Sequence, residues 1–252
     1  MSIFNVHAGH NPDGKKGCGA IGLIKESTEA RKVKDEVIRL LKALGHTVYD
    51  CTVNDGKSAS DVLNKIVAKC NAHKVDYDIS IHLNSGADDT RGNGKTTGVE
   101  VLLYSFRYQA LNDIANDICK EVAKLGYRNR GLKKRQDLYF LRKTNAKAML
   151  IECCFVDDKD DIKLYDYKTM AKAIVKGITG KEVTDDFLVR VNVSELNIRA
   201  GAGAEYDKTG SIKDKGTYTI VETAKAKDGG NWGKLKSGLG WINISSKYVS
   251  KV

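Results

Sequence analysis

Apolar residues in the first 180 positions alternate between short continuous runs and a helical period. The runs predict strands over 3–8, 46–51, 78–83, 98–104 and 148–152. Between them, spacings of three and four residues predict amphipathic helices, whose apolar stripes are Ala30, Val33, Val37, Leu40, Leu41 and Leu44, then Leu63, Ile66, Val67 and Cys70, then Leu111, Ile114, Ala115, Ile118 and Val122. Ser58 can cap the second helix, and a last helix is predicted over 167–178. Strands that alternate with helices predict an α/β fold with a mostly parallel twisted sheet flanked by helices.

The pattern changes near residue 180, where a short polar stretch begins. Beyond it, β-rich pieces at 189–193, 196–199, 216–222, 232–235 and 240–242 are separated by glycines, and no helical period remains. About 65 residues of this kind predict a small all-β barrel. We therefore predict a first domain over 1–181 and a second over 187–252.

Composition fits a folded protein with an anionic partner. Hydrophobic residues make up 41% and charged residues 29% of the 252 positions, and the formal net charge is +10. Nucleic acid and anionic wall polymers attract the same charge. The sequence has no zinc-finger spacing, no aromatic strand of the RNA-binding type and no basic helix with heptads, so a nucleic-acid partner is not predicted.

Two further features concern localisation and redox state. No apolar run approaches the ~20 residues that cross a bilayer, and the N-terminus lacks the basic and apolar regions of a secretory signal. We expect synthesis in the cytoplasm without membrane insertion. The six cysteines form no Cys-x-x-Cys pair, and several lie on apolar faces, which predicts buried free thiols. A nucleophile at Cys153 or Cys154 is an alternative that no other residue supports.

Three potential metal ligands follow or enter elements that the predicted sheet brings together. His10 comes just after the first strand, His82 ends the strand 79–82, and Glu26 precedes the first long helix. Two imidazoles and one carboxylate leave a fourth position for water, the arrangement of a catalytic zinc site. Each histidine alone can be a surface residue, and Glu29 is as good a ligand candidate as Glu26 on spacing.

A second carboxylate, Glu152, ends the apolar strand 149–152. An ionised carboxylate is costly to bury there, and the activation of a metal-bound water would give it a reason to be present.

The first domain resembles the zinc-dependent N-acetylmuramoyl-L-alanine amidases of bacterial autolysins and phage endolysins over about residues 3–180. The motifs are the Gly-His pair at 9–10, a glutamate nineteen residues before the glycine at 45, the segment 80–85 with His-x-Asn, the stretch 131–142, and the strand and turn 150–155. The glutamate spacing favours Glu26 over Glu29. His7 and Ala8 replace the more usual Asp-Pro, Lys147 replaces a common Pro, and Cys153 and Cys154 replace small residues.

The resemblance implies Zn²⁺ held by His10, Glu26 and His82, with Glu152 as general base and with Asn84 and Arg142 as substrate contacts. It implies hydrolysis of the amide between N-acetylmuramic acid and L-alanine, and hence cell-wall lysis. A zinc peptidase that cuts the stem peptide and a non-catalytic wall-binding protein are the alternatives. The absent signal favours a phage- or prophage-encoded endolysin, released through a pore to act at the wall, over a host autolysin.

The second domain resembles bacterial SH3-type domains in the segments 194–203, 229–235 and 240–242. The resemblance implies binding to peptidoglycan and associated wall polymers, with Arg199, Tyr206 and Trp241 as contact residues. Aromatic residues in small barrels also serve as packing, and that alternative stays open for the tryptophan and the tyrosine.

Overall fold

The computed structural model describes residues 1–183 and 186–252, which form two compact units, Met1–Lys181 and Glu182–Val252. The predicted linker includes Thr184 and Asp185, which lie outside the described residues. The elements of the first unit are β1 (Ile3–Ala8), α1 (Glu26–Ala43), β2 (Thr47–Asp50), α2 (Ala59–Asn71), β3 (Tyr77–Asn84), β4 (Val99–Leu103), α3 (Gln109–Ala123), β5 (Asn129–Lys134), α4 (Tyr139–Lys143), β6 (Lys147–Phe155), α5 (Lys159–Leu164) and α6 (Tyr167–Thr179).

The sheet of the first unit has the strand order β2-β1-β3-β6-β4-β5. The pairs β1–β2, β1–β3 and β3–β6 are parallel, whereas β4 runs antiparallel to β6 and parallel to β5. The predicted α/β class with a mostly parallel sheet is confirmed. The reversed β4 has a consequence for the site, since its beginning lies beside the carboxyl end of β6.

Alternation along β6 decides which of its residues face the helices α2 and α4. Ala148 and Leu150 pack in one buried cluster with residues of α2, α4 and β4. Glu152 is the next residue on that face, because side chains alternate along a strand. On the other side, α6 packs against both α1 and α3. The sheet is thus covered on both faces, and Glu152 is directed to the face of α2 and α4.

Two local predictions can be compared with the helix ends. The Ser58 hydroxyl accepts a hydrogen bond from Asp61 N at 3.1 Å at the start of α2, so the predicted cap is confirmed. Helix α1 begins at Glu26 itself rather than a few residues later. Lys25 occupies the cap position without a side-chain cap bond. The glutamate is therefore fixed by the first turn of the helix instead of by a loop.

The second unit is built from antiparallel strands in the order β13-β7-β10-β11-β12-β8-β9. They are β7 (Phe187–Val191), β8 (Leu196–Arg199), β9 (Lys208–Ile212), β10 (Thr217–Lys225), β11 (Asn231–Leu235), β12 (Trp241–Asn243) and β13 (Val249–Lys251). Apolar side chains from these strands form a core of their own. The all-β character is confirmed, and the likeness to SH3-type barrels stays a prediction.

Five of the cysteines are buried and Cys18 is partly exposed, and all six are free thiols, as predicted. Burial holds the pKa values of the Cys153 and Cys154 thiols above the usual range, which disfavours the thiolate that a nucleophile needs. Within 1–183 and 186–252, none of the helices is long and apolar enough to span a membrane.

Candidate metal centre and cleft

His10, Glu26 and His82 converge where β1, α1 and β3 meet. Glu26 Oε1 lies 3.2 Å from His10 Nε2 and 2.9 Å from His82 Nδ1. The β1–β3 pairing aligns Ala8 with Ile81, and Gly9 N donates a hydrogen bond to Ile81 O at 3.2 Å. This register brings the residues after β1 next to His82, so the Gly-His turn and the strand histidine meet.

The separations of these ligand atoms fit a tetrahedral ion. Zinc–nitrogen and zinc–oxygen bonds of about 2.0 Å place neighbouring ligand atoms of a tetrahedron about 3.3 Å apart. The two distances to Glu26 lie near that value, and all three ligand atoms lie within 4.8 Å of one another. The three side chains therefore form a possible metal site.

Glycines make room for this close packing. A Cβ on Gly9 would lie 1.8 Å from His82 Nε2, and a Cβ on Gly19 would lie 2.5 Å from Glu26 Oε2. Gly19 also has φ +81°, a conformation that favours glycine. His82 and Glu26 can thus occupy these positions only because Gly9 and Gly19 carry no side chain.

Glu26 is an anion held between two imidazoles. Burial alone would raise the pKa of its carboxyl, but hydrogen bonds and charge from His10 and His82 hold that pKa well below its usual range. Burial is also the main cause that lowers the pKa of His82. A buried carboxylate beside a neutral imidazole is the donor chemistry that a divalent cation such as zinc requires.

Glu152 lies beside this set without a hydrogen-bond partner among the described residues. It pairs with His82 across β3–β6 and with Glu100 across β4–β6. Its buried Oε2 makes no hydrogen bond to any described group. Burial, followed by the charges of Glu26 and Glu100, raises the pKa of the Glu152 carboxyl well above its usual range, and Arg135 opposes this. The carboxyl is therefore poised to hold a proton.

These groups line one cleft of about 310 Å³. His10, His82 and Glu152 lie along it, and α4 with the residue before it contributes Leu138, Tyr139 and Phe140. Two other buried polar atoms that line the cleft, His7 Nε2 and Ser80 Oγ, also lack a hydrogen-bond partner within the described ranges. Buried polar groups are usually paired, so this concentration marks the cleft as a place for a polar ligand.

The structure distinguishes Glu26 from Glu29, which sequence spacing alone left as equal candidates for the metal ligand. Glu29 accepts a hydrogen bond from Lys32 Nζ at 2.7 Å and is not part of the histidine cluster. Glu26, the first residue of α1, instead has its Oε1 within 3.2 Å of a ring nitrogen of each histidine. Of the two glutamates, only Glu26 shares the cluster with His10 and His82 in the described part of the chain.

The two predicted substrate contacts occupy different positions. Asn84 Nδ2 donates to Glu100 Oε1 at 3.0 Å, and Arg130 Nε donates to Glu100 Oε2 at 2.7 Å. Asn84 thus orients the carboxylate that neighbours Glu152. Arg142 lies on α4 and lines a different cavity. Its assignment as a substrate contact stays a prediction that this placement does not support.

Arg135 is the arginine that lines the cleft, and the sequence interpretation missed it. Its guanidinium donates to both carboxylate oxygens of Asp137, at 2.9 and 2.8 Å. The residue falls inside the stretch 131–142 that carried part of the resemblance. No periodicity in that stretch indicates which side chain turns toward the metal centre.

In the second unit, the predicted wall-binding residues are neighbours. Arg199 Nη1 donates to Tyr206 O at 2.7 Å, and Trp241 pairs with Arg199 across β8–β12. The Tyr206 side chain is 47% exposed. The wall-binding role of this group stays a prediction.

Comparison with known proteins identifies the family. Residues 5–180 match the family described as N-acetylmuramoyl-L-alanine amidase. An uncharacterized protein of Clostridium perfringens strain 13 is 32% identical over 185 residues, 72% of this chain and 52% of that protein. The endolysin of Bacillus phage SPP1 is 26% identical over 281 residues, 97% of this chain and 96% of the endolysin. The chain spans about half the length of the two Clostridium perfringens relatives it matches.

Solved structures agree with this fold. The catalytic domain of the CD27L endolysin, which targets Clostridia Difficile, has a TM-score of 0.64 and 26% identity, with coverage of 73% of this chain and 100% of that domain. The N-acetylmuramoyl-L-alanine amidase AmiC2 of Nostoc punctiforme has a TM-score of 0.59 and 23% identity, with coverage of 71% and 96%, and shows the fold alone.

Proposed function

Because the chain belongs to the N-acetylmuramoyl-L-alanine amidase family, we propose that it hydrolyses the amide between N-acetylmuramic acid and L-alanine in peptidoglycan. The observation that carries the proposal is the Oε2 of Glu152, unpaired among the described residues, in the cleft that His10 and His82 line, beside the cluster that these histidines form with Glu26. A hydrolase needs a site that activates water next to a group that moves its proton.

We assign the three-residue cluster to Zn²⁺. Two nitrogen ligands and one oxygen ligand leave a coordination position open, as catalytic zinc sites do. When bound there, zinc would polarise the substrate carbonyl and lower the pKa of water. Glu26 contributes the negative charge of the set, and the glycines at 9 and 19 allow the ligands to approach one another.

Glu152 acts as the general acid–base in this proposal. Its free Oε2 accepts the proton of the attacking water and returns it to the nitrogen of L-alanine as the amide bond breaks. The raised pKa of this carboxyl favours holding that proton between the two transfers. Asn84 and Arg130 donate hydrogen bonds to the neighbouring Glu100 carboxylate. The positive charge of Arg135 opposes the rise in the pKa of Glu152.

The second unit has the role of an SH3-type wall-binding module, with Arg199, Tyr206 and Trp241 as its contacts. The support is the exposed Tyr206, whose backbone carbonyl accepts a hydrogen bond from Arg199, and the likeness of nearly the whole chain to a phage endolysin. A tethered module raises the concentration of the catalytic unit at its substrate. The protein then acts at the bacterial wall, as a phage- or prophage-encoded endolysin would.

The test is digestion of purified peptidoglycan followed by end-group analysis. New N-terminal L-alanine is the expected product, whereas other new N-termini would identify a peptidase that cuts within the stem. Absence of any new amine would support the non-catalytic alternative. A fragment of residues 1–181 should release the same product from soluble substrate and sediment less with intact walls. Equal sedimentation of the fragment and the full chain would contradict the role of the second unit.

A further inference from the structure

A second cavity, of about 470 Å³, lies at the end of the sheet where β3 and β6 begin and β4 ends. Its walls come from the segment after β4, the start of α3, α4 with the segment after it, the residues before β3 and the start of β6. We call it the basic cavity, because Arg107, Arg142 and Lys147 line it together with Tyr104 and Tyr108. Asp76 is its acidic residue, and that carboxylate accepts a hydrogen bond from Ile3 N at 2.8 Å.

The three cations contact aromatic rings instead of carboxylates. In the described residues, none of the three has a carboxylate oxygen within 4.0 Å of its side-chain nitrogens. The Arg107 guanidinium lies 4.4 Å from the Tyr108 ring centroid, and Lys147 Nζ lies 5.9 Å from the same centroid. Arg142 lies 5.9 Å from the ring of Tyr139. With three cations and one carboxylate, Asp76, in its lining, the cavity keeps an excess of positive charge that is available to an anionic ligand.

Helix α4 divides the basic cavity from the catalytic cleft. Tyr139 and Phe140 line the cleft, whereas Leu141 and Arg142 line the cavity. Along β6, Ala148 lines the cavity, whereas Leu150 and Glu152 line the cleft. Glu152 is four residues from Ala148, which is about 13 Å along a strand. A ligand in the basic cavity thus lies outside the catalytic cleft and is not the part of the substrate that reacts.

We propose that the basic cavity binds the phosphate groups of a phosphodiester-linked wall polymer, a proposal that rests on the wall-directed function given above. The planar guanidinium of arginine can donate two hydrogen bonds to one phosphate group, and the ammonium group of lysine adds a positive charge. The exposed Tyr104 offers stacking surface for sugar or polyol units between the phosphates. Through this contact, the catalytic unit itself is held on walls that carry the polymer, close to its peptidoglycan substrate.

The test compares full-length proteins on two preparations of the same walls, untreated and extracted with hydrofluoric acid to remove phosphodiester polymers. The variant Arg107→Gln/Lys147→Gln removes two cavity cations. The matched control, Arg91→Gln/Lys42→Gln, removes one arginine and one lysine that are exposed elsewhere on the first unit. Thermal unfolding midpoints establish that all three proteins are folded.

On untreated walls, the cavity variant should bind about 3- to 10-fold more weakly than wild type and the control. On extracted walls, all three should bind equally. Equal binding of variant and wild type to untreated walls would overturn the proposal. So would a difference that persists on extracted walls, because the cavity would then recognise peptidoglycan carboxylates. An equal loss of wall binding in the control variant would show that the effect depends only on net charge. That result would also overturn the proposal.

Release of N-terminal L-alanine from a soluble muramoyl peptide separates this proposal from the proposed function. The cavity variant should release it at the wild-type rate, because its substitutions lie outside the catalytic cleft. A wild-type protein that releases none would refute the amidase function, whatever the binding results show.

Discussion

Gly9→Ala is expected to disable the metal centre by adding a single methyl group. The new Cβ would lie 1.8 Å from His82 Nε2 and 1.9 Å from Cε1 of the same ring. Ordinary carbon–nitrogen contact begins at about 3.4 Å, so the imidazole has to retreat by about 1.5 Å. Gly9 does not have a left-handed φ, so alanine meets a steric conflict with the ring and not a backbone conflict.

A displacement of that size exceeds what a metal site tolerates, since ligand distances are held within about 0.2 Å. We expect zinc affinity to fall by about 10- to 100-fold and turnover by at least about 10²-fold. The clash also costs stability, by about 1–3 kcal/mol. The loss of zinc should therefore occur in a protein that still folds.

Zinc affinity is measured by competition with a chromophoric chelator, and folding by urea denaturation of the metal-free protein. Gly210→Ala is the matched control, because its new Cβ would meet Ile198 Cδ1 at an ordinary 3.8 Å. Wild-type zinc affinity and turnover in Gly9→Ala would refute the steric argument. A variant that is unfolded without urea would also contradict it, since the effect would then be a general collapse.

Three other predictions follow from the same cleft. Glu152→Gln should keep a full equivalent of zinc and lose about 10²- to 10⁴-fold in turnover; near-normal turnover would reject its acid–base role. Glu26→Gln should lower bound zinc while Glu29→Gln should not, as metal analysis of the purified variants will show. Burial lowers the pKa of His7 from 6.5 to about 3. Below pH 6.5, His7 therefore binds a proton in the unfolded chain but not in the folded chain. Stability should fall by about 2 kcal/mol from pH 7 to pH 5 through this group, and metal-free His7→Phe should lose less in urea denaturation at the two pH values.

The sequence could predict the elements because their periodicity is local. The apolar run of β6 and the stripe of α1 are each complete within fewer than twenty residues. The β9 strand and the short β5 strand were missed, since their side chains are mostly polar or only partly buried. A strand of this kind is held by its neighbours in the sheet rather than by its own pattern.

The metal ligands were predictable for a different reason. Strand ends in a parallel sheet lie at one edge, so histidines after β1 and late in β3 were expected to meet, whatever the details of the loops. The choice of Glu26 depended on a resemblance, because Glu29 lies one helical turn away and its spacing is equally acceptable. Only the start of α1 at Glu26, which directs that side chain toward the histidines, separates the two.

Helix α4 could not be predicted from the periodicity of the sequence. Its five residues are too few to carry a helical period, yet they separate two sites of different chemistry. Phe140 lines the cleft of the metal centre, whereas Arg142, two positions later, lines the basic cavity. Residues two apart on a helix point in different directions by about 200° of rotation. Arg142, which was expected to contact the substrate, therefore lines the basic cavity, and Arg135 lines the catalytic cleft.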